Sequence, residues 1–123
     1  RTPTDLARVP LLRIRNQPWA PWFAAAGINQ PEPRRGPVFN DSELALQAAI
    51  QGQGVVLARG SLATAKLRAG VLVAPFKQRI ASPQTCFLVY PPQHARKASV
   101  PLFRDWLLEE VHAMSPVHAG AAR

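Results

Sequence analysis

Apolar and polar positions change period several times along the chain, and prolines and glycines stand at the changes. From Leu11 to Arg15 apolar and basic residues alternate, which predicts a short strand opening after Pro10 with Leu12 and Ile14 on one face. From Pro18 to Ala26 the large residues Trp19, Trp22 and Phe23 fall at helical spacing. Proline sits in the permissive first turn and Gly27 just past the end, so an amphipathic helix is predicted. Asn29 to Arg35 has the composition of a loop. Val38 and Phe39 read as a strand tip, after which Asn40, Asp41 or Ser42 offers an oxygen to cap a helix. Leu44, Leu46, Ala48, Ala49 and Ile50 fill one broad face of that helix.

Gly52 and Gly54 then permit a sharp reversal into Val55-Val56-Leu57-Ala58, a continuous apolar run of the kind covered on both sheet faces. The next unit repeats the plan. Ser61 can cap a helix through Leu67, Gly70 ends it, and Leu72 to Phe76 follows as a strand that Pro75 pushes toward an edge or crossover. Thr85 to Tyr90 is a further strand ended by Pro91-Pro92. A last helix begins near Ser99, with Val100, Phe103, Trp106, Leu107 and Val111 on one side and a small-residue, mobile tail after Ser115. Strands and helices alternate throughout, so the fold class is α/β with a mainly parallel sheet.

Composition narrows the function classes. At 123 residues, 47% of them hydrophobic, the chain can bury a real core. It opens Arg1-Thr2-Pro3-Thr4 without an initiator methionine, a leader pattern or an apolar run of bilayer length, and is expected to be an excised piece of a soluble protein. The single cysteine excludes an internal disulfide and is compatible with a reducing cytoplasm. A net charge of +8 suggests a polyanion, yet the bases come in ones and twos without interleaved aromatics. A solvated basic surface is the plainer reading, and such a surface also suits an anionic ligand or the steering of a parent protein toward DNA.

Candidate chemistry is sparse. Asn40, Asp41 and Ser42 at a helix start suit either an anion contact or a plain cap. Arg59 follows an apolar strand at its carboxyl end, where open α/β sheets bind ligands, though a solvated loop arginine is the plainer reading. Cys86 reads as a small buried hydrophobe. His94, His112 and His118 have no metal spacing, and Ser42, His94 and Asp105 lack the Gly-x-Ser-x-Gly elbow of a hydrolase. No catalytic residue, metal or cofactor is assigned.

The ordered blocks Thr4-Asp5-Leu6-Ala7 with Pro10-Leu11-Leu12, Trp22 to Gly27, Phe39 to Ala58, Leu67 to Phe76, Phe87 to Pro91 and Phe103-Arg104-Asp105-Trp106-Leu107 resemble the effector-binding domain of LysR-type transcriptional regulators. The branch it is most similar to contains the glycine-cleavage and β-lactamase-induction activators. The resemblance implies a type 2 periplasmic-binding-protein-like fold of two α/β subdomains around an effector cleft. This chain would supply mostly one Rossmann-like subdomain over 1–84, the returning strand and helix of the other over 85–114, and a tail over 115–123. It further implies a non-enzymatic cytoplasmic regulator that senses a small-molecule effector and self-associates as a homodimer or tetramer. It would meet promoter DNA only through a missing N-terminal domain and would not touch a membrane. Asn40, Asp41, Ser42 and Arg59 would then face the cleft, with Thr85 and Cys86 near the hinge. The rival is a fragment of a type 2 periplasmic solute-binding protein, which shares the architecture.

Overall fold

The computed structural model describes residues 2–83 and 86–114, and the chain forms two compact units, Arg1–Ser82 and Pro83–Arg123. In the first, a 3-10 helix over Pro3–Arg8 leads into strand β1 (Leu11–Ile14). The Asp5 carboxylate accepts the Thr2 amide at 2.8 Å, and that bond holds its carboxyl below the usual carboxylate range. Helix α1 (Ala20–Ala25), strand β2 (Val38–Phe39), helix α2 (Ser42–Ile50), strand β3 (Val55–Val56) and helix α3 (Gly60–Arg68) follow.

The three strands form a parallel sheet in the order β2-β1-β3, with Arg13 opposite Val38 and Leu11 opposite Val55. The chain therefore steps from β1 to one neighbour and crosses back over it to the other. Right-handed crossovers in opposite directions put α1 and α2 on opposite faces. Leu11 joins Leu6, Trp19, Trp22 and Phe23 in one cluster, with Val55 and Leu57 packed against it. Leu12 and Ile14, also buried, alternate to the other face, where α2 brings Ala45, Leu46 and Ala48 onto β1. The predicted strand is thus covered on both sides.

Aromatic geometry fixes the α1 side. Trp19 and Phe23 stack at 5.7 Å between ring centroids, and Trp22 meets Trp19 edge-on at 6.1 Å. Each indole N–H has an acceptor: Trp19 donates to the Leu12 carbonyl at 3.3 Å and Trp22 to the Gln78 carbonyl at 3.2 Å. At the reversal between α2 and β3, Gly52 adopts φ +74°. A Cβ on Gly54 would collide with the Pro10 carbonyl, whose oxygen accepts the Val55 amide at 2.9 Å and starts the β1–β3 pairing.

Several expectations change. Leu72 to Phe76 forms no strand. Pro75 lacks a ladder donor, and the segment instead lays Phe76 on the Trp22 ring at 5.8 Å. Of the run Val55 to Ala58 only Val55 and Val56 pair, and the run is half-buried, because β3 is an edge of a three-stranded sheet. Ser61 is not a cap: α3 starts at Gly60 after Arg59, and no side chain caps it. In α2, Leu44 is 61% exposed while Ala45 is buried, so the core-facing stripe runs through Ala45, Leu46 and Ala48.

The second unit contains a 3-10 turn over Pro92–His94 and helix α4 (Ser99–Met114). The predicted strand through Cys86 to Tyr90 has no ladder partner among the described residues, and Phe87 and Val89 are about 80% exposed. A strand needs a neighbour, and the described part of this unit is otherwise helical. Thr85 and the tail from Ser115 lie outside the described residues. Among the described residues, no helix is long and apolar enough to cross a membrane.

Phe23→Ala is expected to destabilise the first unit by about 3–5 kcal/mol. Leu44→Ala, on the exposed side of α2, should stay within about 0.5 kcal/mol of the parent. Urea unfolding of both variants checks the pair, and equal losses would contradict the observed helix phase.

Candidate functional site

Parallel pairing brings the carboxyl ends of β1, β2 and β3 to one edge of the sheet. The chain leaves β1 and β2, which are neighbours, toward opposite faces, and a crevice opens between such strand ends. Arg15 and Asn40 occupy it. Arg15 follows β1 and its amide donates to the Phe39 carbonyl at 3.0 Å, while its Nε donates to Asn40 Oδ1 at 3.0 Å. One residue on, Asp41 caps α2 by accepting the Glu43 and Leu44 amides on Oδ1 at 2.7 and 3.1 Å. These are the orphan amides an anion would otherwise use, so at this helix start Asp41 is the cap, and the Ser42 hydroxyl beside it is spared that duty. Ser42 itself is half-buried.

Two further contacts stiffen the edge. Gln17 Nε2 donates to the Leu57 carbonyl at 2.6 Å, tying the end of β1 to the end of β3, while its Oε1 is buried without a partner among the described residues. Lys66 Nζ, on α3, lies 2.8 Å from Glu43 Oε1 and donates to Oε2 at 2.9 Å, and Gln47 Nε2 donates to Oε1 at 3.0 Å. The Lys66 bond, helped by Gln47, holds the Glu43 carboxyl below its ordinary value of 4.5.

The expected site residues divide. Asn40, Asp41 and Ser42 stand together with Arg15 at the carboxyl edge. Arg59 is half-buried at the same edge beyond β3, as the residue preceding α3. Cys86 belongs to the second unit and its thiol is exposed and free, contrary to the buried hydrophobe expected, because the residues around it are not packed. Thr85 is outside the described residues. Among the described residues no three His, Cys, Asp or Glu side chains could hold a metal ion. Sequence reasoning overlooked Arg15 and Gln17. Arg15 immediately follows a strand, the same signal that singled out Arg59.

A parallel sheet in this strand order, with helices on both faces and polar side chains gathered at its carboxyl edge, places the protein in the α/β class of type 2 periplasmic-binding-protein-like domains. The profile of the LysR substrate binding domain matches residues 1–112, and the chain belongs to that family. It is 36% identical over 114 residues to the glycine cleavage system transcriptional activator of Escherichia coli (strain K12), covering 92% of this chain and 37% of that protein. The HTH-type transcriptional activator AmpR of Citrobacter koseri is 34% identical over 110 residues, covering 89% of this chain and 38% of that one. Among solved structures, the effector domain of the transcriptional regulator AmpR of Pseudomonas aeruginosa superposes with a TM-score of 0.70 at 30% identity. That match covers 92% of this chain and 55% of the other. The chain thus spans well under half the length of the curated relatives it matches.

Asp41→Ala should cost about 1 kcal/mol, read by denaturant unfolding. The depressed Glu43 pKa sets the sign of a pH effect. Its stabilisation is complete above the ordinary carboxylate value and is lost as pH falls through the lowered folded value. Stability titrated from about pH 6 to about pH 3 should therefore fall less steeply in Lys66→Met than in the parent.

Proposed function

We propose that this chain is the effector-binding, regulatory part of a bacterial LysR-type transcriptional regulator, sensing a small metabolite. The observation that carries the reading is the family match over 1–112 together with the polar constellation at the carboxyl edge of its sheet. Curated relatives that are transcriptional activators favour it over a solute-binding protein. Residues 1–84 form the second effector-binding subdomain. Residues 85–114 are the return strand and helix of the first, and their exposed apolar side chains, Phe87 and Val89 among them, are faces that further structure of the domain covers.

In this reading the effector is held by Ser42, Asn40 and Arg15, with Arg59, Thr85 and Cys86 as further contacts. It shifts an oligomer between two arrangements because its affinity differs between them. The protein is cytoplasmic and non-enzymatic, and it meets promoter DNA through a separate N-terminal domain. Ser42→Ala in the intact regulator should weaken the effector response about three- to tenfold at an unchanged melting temperature. A matched melting temperature with an unaltered effector titration would overturn the assignment.

A further inference from the structure

After α3 the chain stops bonding to its own backbone. The Val71 and Leu72 amides close the helix end on the Lys66 carbonyl at 3.1 and 3.3 Å, with Gly70 making the turn at φ +71°. From residue 73 to residue 81 no backbone group then bonds to another backbone group among the described residues. Side chains hold the segment instead. Phe76 and Ile80 are half-buried and pack against the aromatic cluster of α1, while the residues around them are exposed. One hydrogen bond adds to this: the Trp22 indole N–H donates to the Gln78 carbonyl at 3.2 Å, beside the Trp22–Phe76 ring contact at 5.8 Å. Trp22 is also seated on Trp19 and Phe23, at 6.1 and 6.0 Å between centroids. Those two residues belong to α1 and its N-cap, so that part of its seat does not depend on the segment.

A stretch with so few anchors, none of them in a ladder, sits at the low end of local stability. We propose that residues 73–81 form a strap that Trp22 latches onto α1 and that opens while the sheet and its helices stay folded. Opening breaks the Trp22–Gln78 bond and uncovers the Trp22 ring together with Phe76 and Ile80. Pro75, which has no amide hydrogen, keeps the segment from settling into a ladder instead. The two states differ in the apolar surface they show. A ligand or partner that covers the Trp22 ring holds the strap open, and one that binds over the closed strap holds it shut. The inference does not rest on the sensor reading, and it gives the unit that carries Ser42 a movable element.

The three tryptophans supply the test in the whole chain. Hydrogen exchange of each indole N–H, followed by NMR, reports a different opening: Trp106 on α4 is exposed, Trp19 donates to the Leu12 carbonyl inside the core, and Trp22 donates to the strap. Trp22 should exchange at least about tenfold faster than Trp19 and at least about threefold slower than Trp106. Low urea should speed Trp19 steeply and Trp22 little, because strap opening exposes far less surface than unfolding. D41A removes the cap of a helix on the other face of the sheet, and should speed Trp19 about fivefold while leaving Trp22 unchanged. F76A, which takes a ring off the latch, should speed Trp22 about tenfold. Should F76A fail to fold, the urea and D41A comparisons decide. Trp22 and Trp19 exchanging together with one urea dependence, D41A speeding both alike, F76A leaving Trp22 unaltered, or Trp22 exchanging as fast as Trp106 would each overturn the proposal. None of these outcomes bears on the Ser42→Ala effector titration, so the two readings fail separately.

Discussion

The constraint on which the first unit depends is that β1 must be dry on both faces. It is short, yet Leu11 lies under the aromatic cluster of α1 while Leu12 and Ile14 lie under the small-residue stripe of α2. Side chains that alternate across a central strand can be buried this way only if the two crossovers leave in opposite directions. That one requirement sets the strand order, the faces taken by the helices and the end of the sheet where the chain's polar residues meet. The alanines of α2 follow from it, since a helix lying flat on a strand needs small residues where the backbones approach. The glycine at the close approach of β3 to Pro10 follows as well.

The site inherits its rigidity from the same arrangement. Arg15, Asn40 and Gln17 are polar residues at strand ends, and each is tied to a neighbouring strand end by a hydrogen bond. The three strand tips act as one plate, and α2 is anchored to it by its own cap and to α3 through Glu43 and Lys66. Preorganisation of this kind lowers the ordering cost of binding. It also explains why Asp41 sits among groups suited to an anion. Its charge is absorbed by two backbone amides, so the crevice keeps the cationic character of Arg15.

What could be read from the residues alone was whatever rests on local chemistry. Pro18 and Gly27 bracketed α1, the Asn40-Asp41-Ser42 triplet marked the start of α2, and Gly52 with Gly54 marked the reversal. What could not be read depends on partners distant along the chain. An apolar run such as Leu72 to Phe76 or Cys86 to Tyr90 becomes a strand only where another strand is free to pair with it, and the run itself carries no record of that neighbour. The choice between Leu44 and Ala45 turned on a helix phase set by which residue capped it. Gln17 escaped notice because its bond reaches a carbonyl forty positions away. The family resemblance identified the fold where periodicity could only name its class.

The acidic residues of the first unit have a further implication. Asp5 takes the Thr2 amide, Glu32 the Ala20 amide, Asp41 the first amides of α2, and Glu43 the ammonium of Lys66. Every negative charge there is a joint of the scaffold. Among the described residues of that unit, most arginine side chains make no such bond, Arg13 and Arg15 excepted. Neutralising one of these carboxylates therefore removes a joint, whereas discharging an exposed arginine such as Arg34 or Arg35 leaves the bonded framework of Arg13, Arg15 and Lys66 as it was.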